Sequence, residues 1–198
     1  MKTLIINGGT IEDAFALSYI ERVKPDCILA ADRGMEFCYR NQIKPDVILG
    51  DYDSADKTIL EAFRRQSGIE WHQYQPEKDY TDSEIAIGKA MERNSSEIHI
   101  LGGTGTRLDH VLGNIQLLMQ PLAKDIPCFL IDSHNRIRLL KARTILQKSQ
   151  QFGKYVSLLP LTTEVTGVTL TGMKYPLRDA AFTSDNTLGV SNEIVEDE

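Results

Sequence analysis

The chain lacks any apolar run approaching the length needed to cross a bilayer, which removes the membrane-spanning classes at the outset. It also lacks the opening of a secreted protein. Met1-Lys2-Thr3 passes straight into Leu4-Ile5-Ile6, and Asn7-Gly8-Gly9 ends that run before it reaches the length of a signal-peptide core. Positive charge is in deficit: 22 Lys and Arg stand against 28 Asp and Glu, a formal net charge of −6. A surface of that sign argues against nucleic acid and anionic membrane as partners. A phosphate-bearing ligand would then need local help from a metal, an Arg, a Lys or backbone N–H groups. Cysteine is scarce, and Cys27, Cys38 and Cys128 are odd in number and widely spaced. They form neither a disulfide framework nor a zinc pattern, so a soluble protein of a reducing cytoplasm is expected. The four histidines (His72, His99, His110 and His134) show no metal-site spacing and read as structural.

What is present is alternation. Residues 3–7, 27–32, 47–51, 69–74 and 97–102 read as short strands, with amphipathic helical segments at about 14–23, 35–41, 57–66, 82–93 and 108–122. Such βα alternation predicts an α/β fold, a Rossmann-like, mostly parallel sheet with helices on both faces. After about Asp125 the pattern changes to short apolar or alternating runs at 128–132, 137–140, 155–160, 167–170 and 188–190. These predict a small C-terminal antiparallel β-sandwich. The expected division is therefore 1–124 and 125–198. In open parallel sheets ligands sit beyond the carboxyl ends of the strands, so Asp32, Asp51, Asp53 and a glycine-rich turn should gather along one edge.

Three stretches carry candidate chemistry. Gly50-Asp51-Tyr52-Asp53-Ser54 ends the apolar run Val47-Ile48-Leu49. If the backbone stays extended, Asp51 and Asp53 project from the same face, and a hard divalent cation is the usual way to relieve their repulsion. The competing reading is an Asp-rich turn whose side chains bond their own backbone. In Lys78-Asp79-Tyr80-Thr81-Asp82-Ser83-Glu84, Thr81 and Glu84 have capping-box spacing, which explains Thr81, Asp82 and Glu84 but leaves Lys78 and Asp79 without a role. The third stretch, Gly102-Gly103-Thr104-Gly105-Thr106-Arg107-Leu108-Asp109-His110, leads from a strand into a helix. Its glycines let backbone approach an anion, Arg107 can fork onto a phosphate, and Asp109 can orient Arg107. It matches neither a Walker A loop nor G-x-G-x-x-G. On these residues alone, a metal-dependent nucleotide phosphohydrolase and a non-enzymatic nucleotide-binding module both stay open.

Taken in order, these stretches resemble the thiamine pyrophosphokinase (thiamine diphosphokinase) family. The resemblance rests on Ala31-Asp32-Arg33-Gly34, Lys44-Pro45-Asp46 leading to Gly50-Asp51-Tyr52-Asp53-Ser54, Lys78-Asp79-Tyr80-Thr81-Asp82, and the run from Gly102 to Asn114. It continues through Gly172-Met173-Lys174-Tyr175-Pro176-Leu177 and Val190-Ser191-Asn192-Glu193. Tyr52 stands where Phe is common, Arg33 fills a variable place, and Tyr175 falls where some relatives have Trp. The resemblance implies an N-terminal ATP-binding catalytic domain, a C-terminal thiamine-binding β-sandwich, and a homodimer with active sites at the subunit interface. It implies transfer of the pyrophosphoryl group of ATP to the hydroxyl of thiamine, giving thiamine diphosphate and AMP. By the same resemblance Asp51, Asp53 and Asp82 bind Mg²⁺, and Asp32 and Asp79 complete the acidic network. Lys78, Gly102, Gly103, Thr104, Gly105, Arg107 and Asp109 would serve the phosphates of ATP. Tyr175, Ser191 and Asn192 would hold thiamine.

Overall fold

Leu4, Ile5 and Ile6 have no solvent exposure, so both faces of the first strand are covered, as a central strand of a parallel sheet requires. This strand, β1 (Lys2–Ile6), is followed by α1 (Asp13–Val23), β2 (Cys27–Ala31), α2 (Gly34–Arg40), β3 (Val47–Gly50), α3 (Lys57–Arg64) and β4 (Glu70–Gln73). Then come α4 (Asp82–Glu92), β5 (Glu97–Leu101), α5 (Leu108–Leu117), α6 (Met119–Ala123), β6 (Cys128–Ile131) and β7 (Arg136–Ile137). The structure is a computed structural model that describes residues 1–53, 55–75, 77 and 79–197. The strand order is β4-β3-β2-β1-β5-β6-β7, parallel throughout except for β7, which runs antiparallel at the edge.

The register divides the core into two layers. Ile5, Leu29, Leu49, Ile100 and Leu130 face α4 together with Ala86, Ile87 and Ala90. Leu4, Ala30, Ile48 and His99 lie on the opposite face, where Tyr19 of α1 reaches His99. Local signals set the helix starts. Asp56 accepts from the Thr58 N–H at 2.7 Å to begin α3, and Thr81 Oγ1 accepts from the Glu84 N–H at 3.2 Å to begin α4. The side chain of Glu84 accepts from Gln120 at 2.8 Å.

Two expectations are corrected. The helix foreseen over 108–122 breaks at Leu118, because Pro121 has no N–H for the Leu117 carbonyl and its ring crowds that oxygen. The runs at 128–132 and 137–140, foreseen in the second domain, belong to the first. β6 adds to β5 in parallel, with Ile98 opposite Cys128 and Ile100 opposite Leu130, and β7 folds back on β6. The two units are accordingly Met1–Lys141 and Ala142–Glu198, a division 17 residues later than the one expected. In the second unit β8 (Glu164–Leu170) and β9 (Leu177–Thr183) form an antiparallel pair. Segments 155–160 and 188–190 come together through the Leu158 N–H on the Gly189 carbonyl at 2.9 Å, beside an isolated bridge of Val156 with Asn192.

His99 gives the fold a pH signature. Its Nδ1 meets Tyr19 Oη at 2.8 Å, its Nε2 meets Glu97 Oε1 at 2.7 Å, and Phe129 stacks on the ring at 5.3 Å. Burial lowers the pKa of the imidazole below its ordinary 6.5, against the opposing pull of Glu97. Below that value the unfolded chain binds a proton that the folded chain resists. Stability from this group is therefore complete above pH 6.5 and falls as the pH drops toward the folded-state pKa. Urea midpoints measured at pH 7.5 and pH 5.5 should differ, with the lower value at the acid end. His99→Gln should shrink that difference, and an unchanged difference would discharge His99 from the role.

Candidate active site

The strand order reverses beside β1: the chain moves outward through β2, β3 and β4, then returns to β5 on the other side of β1. A cavity of about 720 Å³ lies at the carboxyl ends of these strands. It is the place where an open parallel sheet offers a ligand diverging loops. Two turns, one after β1 and one after β5, build its floor, and they interlock through main chain. The N–H groups of Asn7, Gly9 and Thr10 donate to the carbonyls of Leu101, Gly102 and Thr104 at 2.9, 2.9 and 3.1 Å. Glycine is required at both contacts. A Cβ on Gly9 would lie 2.3 Å from the Gly102 carbonyl oxygen, and one on Gly102, whose φ is +68°, would lie 2.4 Å from that of Asn7.

The lining brings together most of the acidic and glycine positions singled out above. Asp32, Asp51 and Asp82 face the cavity, as do Gly102, Gly103, Thr104, Gly105 and Arg107. Asp32 sits at φ +50°, a left-handed turn that Asp tolerates, and its N–H donates to the Leu49 carbonyl at 2.8 Å. Asp82 opens α4, whose first turn also carries Ser83. Asn7 Nδ2 donates to Ser83 Oγ at 2.8 Å, tying the end of β1 to that helix. Asn7 Oδ1 is the one buried side-chain oxygen or nitrogen among the described residues with no partner. Arg107 lies along the rim, and its Nε and Nη2 contact Asp109 at 3.3 and 2.7 Å. That pairing holds the Asp109 carboxyl below the usual carboxylate range, and Asp109 itself stands outside the lining.

The expectation that Asp51 and Asp53 share a face fails. The backbone leaves the strand at Gly50 and turns left-handed at Tyr52, φ +63°. Tyr52 turns because its ring is buried: its hydroxyl reaches the carbonyls of Ile48 and His72 at 3.1 and 3.0 Å, and the ring meets Trp71 edge-on. Asp51 Oδ1 accepts from the Asp53 N–H at 3.0 Å, so the Asx turn is present, and Asp51 still lines the cavity. Asp53 is exposed and absent from the lining, and so is Asp79. Lys78 lies outside the described residues. Sequence reasoning passed over Asn7, Arg33 and Tyr80 as site residues and read His110 as structural, and all four line the cavity. Arg33, Tyr80 and His110 sit inside motifs already singled out, Asn7 ends the first strand, and adjacency to the strand-end turns was the signal that marked them.

The remaining candidates lie in the second unit. Asn192 is buried: its Oδ1 accepts from the N–H groups of Tyr175 and Glu193 at 3.0 and 2.9 Å, and its Nδ2 donates to the Tyr175 carbonyl at 2.8 Å. The amide thus grips both main-chain polar groups of Tyr175, a residue 59% exposed. Ser191, at φ +60°, donates its N–H to Ser157 Oγ at 3.0 Å. Lys174 lies over the Tyr175 ring and pairs with Glu193 at 2.7 Å.

Comparison with known proteins covers both units. Residues 22–130 match the family profile "Thiamin pyrophosphokinase, catalytic domain", and residues 143–198 match "Thiamin pyrophosphokinase, vitamin B1 binding domain". A thiamine pyrophosphokinase of Bacillus subtilis (strain 168) is 36% identical over 84% of this chain and 78% of its own length. The crystal structure of a thiamine pyrophosphokinase from Bacillus subtilis superposes with a TM-score of 0.86 at 31% identity, covering all of this chain and 91% of that one. One from Geobacillus thermodenitrificans gives 0.82 at 29% identity, covering all of this chain and 90% of that one. With both of its units matched, one to each half of the same enzyme, the chain belongs to the thiamine pyrophosphokinase family.

Proposed function

We infer that this chain transfers the pyrophosphoryl group of ATP to the hydroxyl of thiamine, giving thiamine diphosphate and AMP, with ATP held in the cavity beside β1. The observation that carries this placement is the convergence of three carboxylates, a glycine turn and Arg107 on one cavity at the point where the strand order reverses. Transfer of this kind depends on positioning and charge neutralisation more than on a covalent nucleophile, and such a lining supplies both.

Magnesium fits the donors. Among the described residues no three His, Cys, Asp or Glu side chains gather into a ready-made cage. Asp51 and Asp82 nevertheless both line the cavity, and Mg²⁺ commonly takes only one or two carboxylates, completing its shell with water and phosphate oxygens. We assign Asp51 and Asp82 to that ion, with Asp53 carried on the same turn as a third candidate. When bound, Mg²⁺ supplies positive charge against the phosphate oxygens. Arg107, held by Asp109, and Lys78 neutralise the transferred group. Asp32 and Asp79 complete the acidic network, and one of them orients the thiamine hydroxyl or accepts its proton. In the second unit Tyr175 offers its exposed ring to thiamine. Asn192 acts through the Tyr175 main chain, and Ser191 stands beside it.

The homodimer belongs to this proposal, supported by apolar side chains that the chain leaves uncovered. Leu108, Leu112 and Met119 are 72, 62 and 53% exposed along α5 and α6, a stripe that a single chain has no reason to present to water. A cytoplasmic location is supported by three buried, unpaired cysteines. No described helix is long and apolar enough to cross a membrane.

The reaction itself is the test. With ATP, Mg²⁺ and thiamine, the purified protein should form AMP and thiamine diphosphate in equal amounts, and EDTA should stop turnover. ADP with thiamine monophosphate would show that the wrong bond had been assigned. Phosphate release without thiamine would point to a hydrolase.

A further inference from the structure

Arg33 repeats the arrangement of Arg107 on the other side of β1. Each residue is the N-cap of a helix that follows a strand flanking β1: Arg33 between β2 and α2, Arg107 between β5 and α5. Each is pinned by a carboxylate from the first turn of its own helix. Arg33 Nε and Nη2 contact Glu36 at 3.1 and 3.3 Å, just as the Nε and Nη2 of Arg107 contact Asp109. The pinned edge is the same in both, so both guanidinium groups keep the same outer Nη1–Nη2 edge for another acceptor. Among the described lining residues these two are the only Arg or Lys, set against the carboxylates of Asp32, Asp51 and Asp82.

We propose that Arg33 is a second phosphate-binding guanidinium, which holds the polyphosphate chain of the nucleotide from the β2 side while Arg107 holds it from the β5 side. The proposal rests on nucleotide binding in this cavity and adds a residue to it. A polyphosphate spanning the β1 turn carries several negative charges into a lining that already holds three, and a second arginine adds to the positive charge that Mg²⁺, Lys78 and Arg107 set against them. The outer edge of a guanidinium suits two oxygens of one phosphate group, and pinning by Glu36 orients it before the ligand arrives. An ordinary surface pair of Arg33 with Glu36 would contribute little to folding, so its removal should be felt in ligand binding.

The test uses the chain of both units. Equilibrium binding of ATP with Mg²⁺ is measured without thiamine, alongside KM for thiamine and the melting temperature. Arg33→Gln should weaken ATP binding about tenfold, and Arg33→Lys, which keeps charge but loses the fork, about threefold. KM for thiamine and the melting temperature should hold. ATP affinity in Arg33→Gln equal to that of the parent protein would overturn the proposal. So would a parallel loss of thiamine affinity with a lowered melting temperature, which would mark Arg33 as a structural brace. Arg33-dependent ATP binding in a protein that makes no thiamine diphosphate would sink the assigned reaction and leave this residue's role intact.

Discussion

Asp51→Asn should lower the rate of thiamine diphosphate formation by about a hundredfold or more at saturating ATP, thiamine and Mg²⁺, a loss of roughly 3 kcal/mol of transition-state stabilisation. The local structure makes this substitution informative. Asp51 Oδ1 accepts from the Asp53 N–H, and an asparagine oxygen at the same place accepts that bond equally well. The turn is kept and one negative charge is removed from the cavity lining, so lost activity reports the charge and not the loop. Folding should be unaffected, because Asp32 and Asp82 line the same cavity and lose a like-charged neighbour. Turnover within a few-fold of the parent protein would return Asp51 to a purely structural part in its Asx turn. Asp53→Asn, made in parallel, asks whether the exposed member of the pair is recruited when substrate and metal bind.

Mixing two damaged chains should restore activity that neither has alone. Asp51 belongs to the first unit and Asn192 to the second. Asp51→Asn removes a proposed metal ligand, and Asn192→Ala releases the grip on Tyr175. Tyr175→Ala serves as a second variant, since its exposed ring can be removed without opening a core. In a two-fold dimer whose sites draw on both chains, a mixed dimer has one site with both lesions and one with none. Co-refolding at equal amounts makes about half the dimers mixed, so activity should recover to about a quarter of the parent level. Mixed dimers confirmed by mass but lacking activity would show that each chain completes its own site.

The α/β half was legible because strands covered on both faces read as unbroken apolar runs. Val47-Ile48-Leu49 and Leu4-Ile5-Ile6 announce themselves in that way. The allotment of β6 was not legible. Cys128–Ile131 looks the same locally whether it joins a parallel sheet or a sandwich, and only its partner, β5, decides. The same division holds at the site. Asp32, Asp51 and Gly102–Gly105 converge because strand ends converge, and strand ends can be read from pattern, whereas Asp82, at the start of α4, was marked only by the family resemblance. Asp53 and Asp79 do not join them on the cavity wall. The turn that carries Asp53 away depends on Tyr52 burying its hydroxyl between two carbonyls in a left-handed conformation, which no local signal distinguishes from an extended residue. The break before α6 was readable in principle from Pro121. The strong apolar stripe across residues 108–122 masked it, partly because Leu108, Leu112 and Met119 belong to a face the chain leaves open.

The main-chain floor beneath the cavity separates holding a ligand from choosing one. Three backbone hydrogen bonds and two glycines knit the β1 and β5 turns together, and none of those contacts involves a side chain. Thr10 and Thr106 line the same cavity, and neither side chain takes part in the floor's three bonds. Those side chains are therefore positions at which selection, natural or in the laboratory, can retune contacts to the ligand while the platform beneath stays as it is. The glycines have no such latitude, and a library that varied Gly9 or Gly102 would spend its members on chains that cannot close the floor.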